Sequence, residues 1–553
     1  MATRGRAIGR AVSCAAAGMS CAAFAVDAPR GGAPSGGWRA ERSPVASDAA
    51  GGVAGGGEPG ADVALGGSRE PVIAVDHSNP QRLAMSSLFQ YRVSTNGGQT
   101  WTAPASNVVP AGYALDGDPC MTYDALGRLF YLYQGRNVSS NGADEFCARL
   151  DPTTGAYISG PIKVSTSGAS GPYNDKPWIA ADRFASSPFA NRLYAVWTEF
   201  PGNSTRVLFS SSSNQGITWT TPLQLSTSSE GFVWPAHVAV APNGDVYVAY
   251  HSQISFNGVG EGGGNPTGSS GKIYVARSTD GGATFPQKNL AFLPGAADLT
   301  FNVQTSPGTI PQTDFWLQGS VQPWVLPDPS LPGYVYVVAC DDPDNAHGSG
   351  DDADVFIVRS TQNGLGWSAP TRVDHAPGTS FSVMPTAAID DAGCITVMWY
   401  DNRLGGTNAS GNWLLNVFYT VSTTHGLSFG PDVQLSDAAI DPDLGAPSRY
   451  PGPPPTKRIG EYICIATAGT NAYGVWTGNT SNSQQILFDR ALGVCAPCAG
   501  PGCGADLDGD GNVGASDLAI LLGAWGTSGP GDLDFNGTVD AADVAVLLGA
   551  WSA

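Results

Sequence analysis

The chain has 553 residues, of which 73 are Gly and 41 Pro, and only 13% are charged. That length is too great for one ordinary domain unless the fold is built of repeats, and the composition favours short strands and turns over long surface helices. A formal net charge of −20 argues against nucleic acid or an anionic membrane as partner, and repels an acidic sugar unless a local Arg cluster overrides it.

Arg4, Arg6 and Arg10 precede a mildly apolar run from Ala11 to Ala22, and Ala23-Phe24-Ala25 has the form of a cleavage site. Residues 1–25 therefore read as an export signal, and the protein is expected to be secreted, with attachment to a cell surface as a further option. A lipid anchor on Cys21 fits less well, because Gly18-Met19-Ser20 lacks the expected Leu. No other segment is long and apolar enough to span a bilayer as a helix. Cys14 and Cys21 leave with the signal, and the eight cysteines that remain are an even number compatible with disulfides outside the cytoplasm. Their pairing is open at this stage. Residues 26–60, rich in Gly, Ala and Pro, are expected to be a disordered linker.

From residue 61 two repeats run in phase. The first is Ser-x-(Asp/Asn)-x-Gly-x-x-(Trp/Phe), read at Ser94–Trp101, Ser212–Trp219 and Ser278–Phe285, with a degenerate third position at Ser360–Trp367 and Ser422–Phe429. Ser and Asp or Asn hydrogen-bond nearby backbone groups, Gly permits a positive φ, and the aromatic plugs the turn into apolar surface. The second repeat is a proline followed five residues on by an aspartate: Pro71 and Asp76, Pro119 and Asp124, Pro177 and Asp182, Pro323 and Asp328, Pro385 and Asp390. Pro235 begins a sixth unit in which Val240 takes the aspartate position.

Each unit predicts four antiparallel strands: one after the proline, a second beyond the aspartate turn, a third running into the Ser-led box and a fourth leaving it. That pattern predicts an all-β fold, a β-propeller. Six Pro-led units plus a seventh at Glu461–Ala466, Tyr473–Trp476 and Gln485–Phe488 predict seven blades. The seventh unit lacks a fourth strand, and residues 61–66 are expected to supply it and close the ring, removing an exposed edge. Six blades with an appended last unit is the alternative.

With the boxes in view, residues 61–490 resemble the Asp-box, or bacterial neuraminidase repeat, propellers of the sialidase superfamily. Segments such as Asp175-Lys-Pro-Trp-Ile-Ala180, Trp399-Tyr-Asp-Asn-Arg403 and Arg458-Ile-Gly-Glu-Tyr462 carry the same likeness. The resemblance implies a glycan- or protein-recognising propeller or, alternatively, an exo-glycosidase of the sialidase type. A sialidase holds its substrate's carboxylate with three Arg, attacks with a Tyr activated by a Glu, and uses an Asp as acid/base. Carried over, these roles fall on Arg69, Arg403 and Arg458, on Tyr462 and Glu461, and on Asp116 or Asp118. The chain departs from the family where Arg69-Glu-Pro71 stands in place of the opening Arg-Ile-Pro. Loops before strand 1 and after strand 2 share one face of a propeller, so Gln134, Asp175, Lys176, His237, His251 and Asp401 are expected around the same central funnel. Trp178, Trp234 and Trp324 sit near the inner-strand starts, for sugar stacking or for packing between blades.

Residues 491–503 form a Cys-rich hinge containing Cys495, Cys498 and Cys503, read as a disulfide-bearing linker because no fourth zinc ligand lies nearby. Residues 504–553 hold two copies of one loop. Asp506, Asp508, Asp510, Asn512 and Asp517 place oxygens at positions 1, 3, 5, 7 and 12, and Asp532, Asp534, Asn536, Thr538 and Asp543 repeat them. A hard Ca²⁺ ion takes six to eight oxygen ligands, with position 7 giving a backbone carbonyl, and this EF-hand-like spacing wraps them round one ion. Each loop feeds one short helix ending in Gly-Ala-Trp, and the module is similar to a type I dockerin. That resemblance implies a cohesin-like or cell-surface partner. Many family members carry a Ser-Thr pair at loop positions 10 and 11, where this chain has Ala515-Ser516 and Ala541-Ala542.

Overall fold

The computed structural model describes residues 59–67, 69–140, 142–166, 171–202, 204–253, 271–291, 322–341, 353–378, 380–444, 459–479 and 483–495, then 505, 507, 513–527, 531, 533, 538–549 and 551. The export signal, nearly all of the 26–60 linker, hinge residues 496–503 and Arg458 lie outside the described residues, as do Asp506, Asp508, Asp510, Asn512, Asp532, Asp534 and Asn536. Two compact units are present, Gly56–Pro497 and Cys498–Ala553.

The first unit is a set of seven four-stranded antiparallel sheets. The third is typical: Tyr173–Ala181, Leu193–Phe200, Arg206–Ser212 and Leu223–Gln224, in sequence order across the sheet. Innermost strands pack in succession, Val72–Val75 on Tyr113–Tyr123, then Tyr173–Ala181, Phe232–Val240, Trp324–Pro327, Ser382–Ile389 and Cys464–Ala468, which returns to Val72–Val75. Sheets arranged radially round an axis in this way form a β-propeller. The last sheet takes its outermost strand, Val63–Gly66, from the other end of the unit, with Val63 opposite Phe488.

The boxes work by one hydrogen-bond scheme. Ser94 Oγ accepts the Gly98 N–H at 3.0 Å and donates to Asn96 Oδ1 at 3.0 Å, while Asn96 Oδ1 accepts the Thr100 N–H at 2.9 Å. The same bonds recur from Ser212 to Thr218 and from Ser278 to Thr284. In the Ser422 copy Thr424 Oγ1 takes over the acceptor role toward the Ser428 N–H, which explains how the box survives without Asp or Asn. The glycine is fixed by close approach as well as by φ. Gly282 sits at φ +82, and a Cβ there would stand 2.6 Å from Phe209 of the preceding sheet. The box aromatic docks on the same neighbour, Phe285 meeting Phe209 edge-on at 4.8 Å and Trp101 meeting Phe488 at 5.1 Å. Each box therefore joins one sheet to the one before it.

The repeated aspartates cap the turn between the first and second strands, at the same end of the sheet as the boxes. Asp124 Oδ1 accepts the N–H groups of Leu126 and Arg128, and Asp390 Oδ1 those of Ala392 and Cys394, which satisfies donors that a tight buried turn leaves over.

Two boundaries differ from the sequence reading. The seventh sheet's inner strand begins at Cys464, leaving Glu461, Tyr462 and Ile463 ahead of it as an irregular lead-in. The one disulfide among the described residues joins Cys394, in the sixth sheet's first turn, to Cys495 of the hinge. Cys120, Cys147 and Cys464 are buried free thiols, and Cys340 is buried. Among the described residues no helix is long and apolar enough to cross a membrane.

The second unit has two helices, Ala515–Gly523 and Ala541–Gly549, whose Leu521 and Leu547 pack with Ala505, Leu507, Val513, Leu533 and Val539.

The Cys394–Cys495 bond closes a loop with a sequence separation of 101 residues. A loop of that size restricts the unfolded chain strongly, so Cys394→Ser with Cys495→Ser should destabilise the propeller by about 2–4 kcal/mol, read as a lower urea midpoint with a larger m-value, because the uncrosslinked unfolded chain exposes more surface.

Candidate functional site

The inner strands are bulged at one recurring place. Pairing with the second strand slips between Gly117 and Cys120, between Asp175 and Trp178, between Val233 and Ala236, and between Val383 and Thr386. The residue ahead of the proline there adopts a left-handed backbone: Glu70 at φ 56°, Asp118 at 45°, Lys176 at 52° and Met384 at 53°. Non-glycine residues avoid this region, at a cost on the order of 1–3 kcal/mol each, and a bulge re-aims side chains.

Three of these residues form the centre of the site. Glu70, Asp118 and Glu461 are buried, with one carboxylate oxygen of each within 4.8 Å of the others. Lys176 Nζ stands 2.9 Å from Glu461 Oε2, and its side chain is only 2% exposed. The ammonium lies 4.2 Å from the centre of the Tyr462 ring and 5.5 Å from that of Trp234, so it is held by aromatic faces as well as by charge. The Lys176 N–H donates to Asp118 Oδ2 at 3.3 Å. Gly460 packs so tightly on this corner that a Cβ would stand 2.9 Å from the Glu70 nitrogen and 3.2 Å from Arg69 Cβ.

Of the residues proposed from sequence, Arg69, Asp118, Glu461 and Tyr462 are buried, and Asp118 and Glu461 share the carboxylate cluster. Tyr462 donates its hydroxyl to the Pro119 carbonyl at 3.3 Å. Burial first, then the Asp118 and Glu70 carboxylates, push its pKa well above the ordinary tyrosine value, so it is a phenol at neutral pH. Asp116 is half-buried and accepts the Tyr173 hydroxyl at 2.9 Å. Arg403 is committed to another network: its guanidinium bonds Asp401 at 2.6 and 2.9 Å and Asp432 at 2.6 Å, over the Phe418 ring.

Two histidines expected in the funnel are packed instead. His237 lies between the rings of Trp178 and Trp324, at 5.1 and 4.9 Å, and accepts the Val325 N–H on Nδ1. Burial pushes both His237 and His251 down to about 3, so both are neutral. Trp178, Trp234 and Trp324 are likewise buried: Trp324 donates to the Pro385 carbonyl and Trp234 to Asp175. An axial cavity of about 220 Å³ is lined by Trp178, Trp324 and His237 and by the apolar inner strands, with His77 and Arg183 among its lining residues.

Sequence reasoning missed Glu145. It lies mid-strand with no motif around it, fully buried, and neither carboxylate oxygen has a hydrogen-bond partner. Burial, then Asp118, Asp144 and Asp116, hold its pKa far above the carboxylate range.

In the second unit, Asp517 and Asp543 are fully buried inside their loops. Asp517 accepts the N–H groups of Leu507 and Gly514, both at 2.6 Å, and Asp543 those of Leu533 at 2.5 Å and Asp540 at 2.7 Å. Each carboxylate thus ties the start of its loop to the end. The all-oxygen donor set of the two loops fits a hard divalent cation.

No known family profile matches the sequence, and no curated protein matches it. Solved structures give similarities to sialidase- and arabinofuranosidase-type β-propeller enzymes and to a polysaccharide lyase. An ulvan lyase of family PL25 is 13% identical, with a TM-score of 0.44 and coverage of 79% of this chain and 96% of its own. The α-L-arabinofuranosidase of Fusarium graminearum is 12% identical, with a TM-score of 0.39 over 68% of this chain and 92% of its own. The leech intramolecular trans-sialidase is 11% identical, with a TM-score of 0.38 over 76% and 68%. Likenesses this distant assign no activity to the chain.

Removing one member of a buried ion pair strands the other, so Lys176→Met should cost about 3–5 kcal/mol. Adding Glu461→Gln should cost clearly less than the sum of the two single changes, by at least about 1 kcal/mol in a double-mutant cycle on urea midpoints.

Proposed function

We propose that the chain is an exported recognition protein: a seven-bladed, sialidase-like propeller that binds glycans or proteins on the face bearing Glu70, Asp118 and Glu461. Residues 504–553 act as a Ca²⁺-binding, dockerin-like module that attaches it to a complex or a surface. The state of Tyr462 and Glu461 carries this reading. A tyrosine nucleophile needs an adjacent free base and an open hydroxyl. Here the carboxylate beside it is paired with Lys176, the hydroxyl is bonded to a backbone carbonyl, and the phenol's pKa is raised.

What remains on offer is recognition chemistry. Asp116, held by buried Tyr173, is itself half-buried, and carboxylates accept hydrogen bonds from sugar hydroxyls or from backbone and side-chain donors of a protein. In the second unit Asp506, Asp508, Asp510, Asn512 and Asp517, and their counterparts Asp532, Asp534, Asn536, Thr538 and Asp543, would hold the ions. Bound Ca²⁺ supplies cross-linking of each loop. Leu522, Trp525, Leu548 and Trp551 are exposed there, which supports protein docking with a partner that need not read a Ser-Thr pair.

A sialidase-type exo-glycosidase is the second reading. It is favoured by the grouping of Glu461 and Asp118, within 4.8 Å of each other, beside Tyr462, which brings together the residue types that a tyrosine-nucleophile glycosidase uses.

Purified full-length chain on a panel of fluorogenic glycosides, sialosides included, should show no turnover and should retain ligands on a glycan array or in pull-downs. Turnover that collapses in Tyr462→Phe, which removes one hydroxyl from a packed ring, sinks the recognition reading in favour of the glycosidase. For the module, Ca²⁺ should raise hydrogen-exchange protection over residues 513–549, and Asp517→Asn with Asp543→Asn should abolish that gain while the propeller's unfolding transition stays put. Protection equal with Ca²⁺ and with a chelator removes the metal from the proposal.

A further inference from the structure

The ring closes through four residues. Val63–Gly66 pairs with Gln484–Ala491, Val63 opposite Phe488, Ala64 opposite Leu487 and Gly66 opposite Ile486, with a register slip after Ala64. So short a strand contributes little by itself, and what anchors its leading end is an unusual group of carboxyls.

Asp62 N–H donates to Asp437 Oδ2 at 2.8 Å, and Asp437 N–H donates back to Asp62 Oδ2 at 3.1 Å. This reciprocal clasp ties the incoming chain to the sixth sheet's side of the seam. On the seventh sheet's side, Gly60 donates its N–H to the Arg490 carbonyl at 3.2 Å and presses on Asp489, so that a Cβ on Gly60 would stand 2.6 Å from Asp489 Oδ1. Asp489 is 1% exposed and accepts the Arg490 N–H on Oδ1 at 2.7 Å. Its Oδ2 is buried with no hydrogen-bond partner, and so is Asp62 Oδ1. The charged groups facing the cluster are Asp437 from the sixth sheet's side, Asp489 and Arg490 from the seventh, and Asp62 itself. Arg490 sends its guanidinium to the Gly97 carbonyl at 3.1 Å. Three carboxyls therefore meet with one cation, and that cation is turned to another acceptor.

We propose that Asp62 and Asp489, set against Asp437, form a proton-operated latch on the closing strand. With Asp62 and Asp489 protonated, the cluster holds Val63–Gly66 in the ring; with both ionised, mutual repulsion and the buried unpaired oxygens loosen the strand and uncover the edge of Gln484–Ala491. Burial first, then Asp437 and Asp489, raise Asp62 from 3.8 to about 7, while burial, then Asp437, raises Asp489 to about 6. With the strand released, Asp62 and Asp489 are opened to solvent and return toward the ordinary value of 3.8. Closing the seam thus takes up protons. Closure is strongest below about pH 4, where both states are protonated, weakens as pH rises toward about 7, and is level above that.

Hydrogen exchange on the full chain tests this, at pH 4.5 and pH 7.5, with rates corrected for intrinsic exchange and referenced to the strand Val335–Asp341. A pKa difference of one unit is a factor of ten in the closing equilibrium, so protection over Val63–Gly66 should fall by roughly tenfold or more between the two pH values. In Asp62→Asn with Asp489→Asn the fall should shrink to roughly threefold or less, and each single change should remove part of it. Asp437→Asn, an exposed position, should also reduce the fall and keeps the test open should the variant at buried Asp489 fail to fold. Protection that does not change with pH in the unmodified chain overturns the latch, as does an equal fall in the variants. Full recovery of protection at pH 7.5 on adding Ca²⁺ in an Asp517→Asn, Asp543→Asn background also overturns it, because the seam would then be a cation site.

Discussion

A left-handed residue in front of a proline is the constraint on which the centre of this protein depends. Proline fixes its own φ and crowds the residue before it, which normally keeps that residue extended. Here Glu70, Asp118, Lys176 and Met384 are driven the other way, and the pairing slip beside three of them absorbs the extra residue. The strain holds because the surroundings over-determine it: the inner strand is pinned on both sides by neighbouring inner strands, and the turn below it is capped by an aspartate. The outcome is that residues from separate sheets, which a regular strand would direct alternately to its two faces, converge on the axis.

What converges is charge in a nearly dry place. An ammonium at 2% exposure and the carboxylates round it survive through their counterparts: Lys176 with Glu461, the Lys176 N–H with Asp118, and two aromatic faces round the ammonium. That same completeness removes the group as a ready catalyst. A general base must be free to take a proton and a nucleophile free to attack, whereas here both are already engaged. Of the catalytic pattern carried over from the sialidase likeness, Asp118, Glu461 and Tyr462 lie together, while Arg403 belongs to another network. Their partners decide what they do.

The propeller was legible in sequence because its signals are local and repeated. Ser94, Asn96, Gly98 and Thr100 are within one turn of each other, so the box's hydrogen bonds can be inferred from spacing alone, and the Pro-to-aspartate interval marks each inner strand. The substitution of Thr424 for the box Asp was also within reach, since a hydroxyl can accept the same N–H. The site was legible only in part. That Lys176 pairs with Glu461 depends on a bulge in one sheet and the irregular lead-in to another far away in sequence, and that Arg403 turns to Asp432 depends on a strand-end position with no motif. His237 fits the funnel by its repeat position, yet its ring packs between two indoles because the bulge shifts the phase of the strand. Glu145 gave no signal at all: mid-strand in an alternating run, it is indistinguishable from a solvent-facing glutamate until the neighbouring sheet covers it.

The two ends of the ring are secured by different physics. At the C-terminal end the chain leaves the seventh sheet and is bonded covalently, through Cys495, to Cys394 in the sixth. Tension applied beyond Cys495 meets that bond before it reaches the strand Gln484–Ala491. At the N-terminal end the closing strand has only four residues and a carboxyl clasp. A ring needs just one seam, and here the covalent staple lies on the C-terminal side of it, leaving the seam itself to a few hydrogen bonds. Cooperative unfolding of such a ring should therefore begin where the chain starts, at Val63–Gly66, with the sheets joined by the disulfide among the last to part.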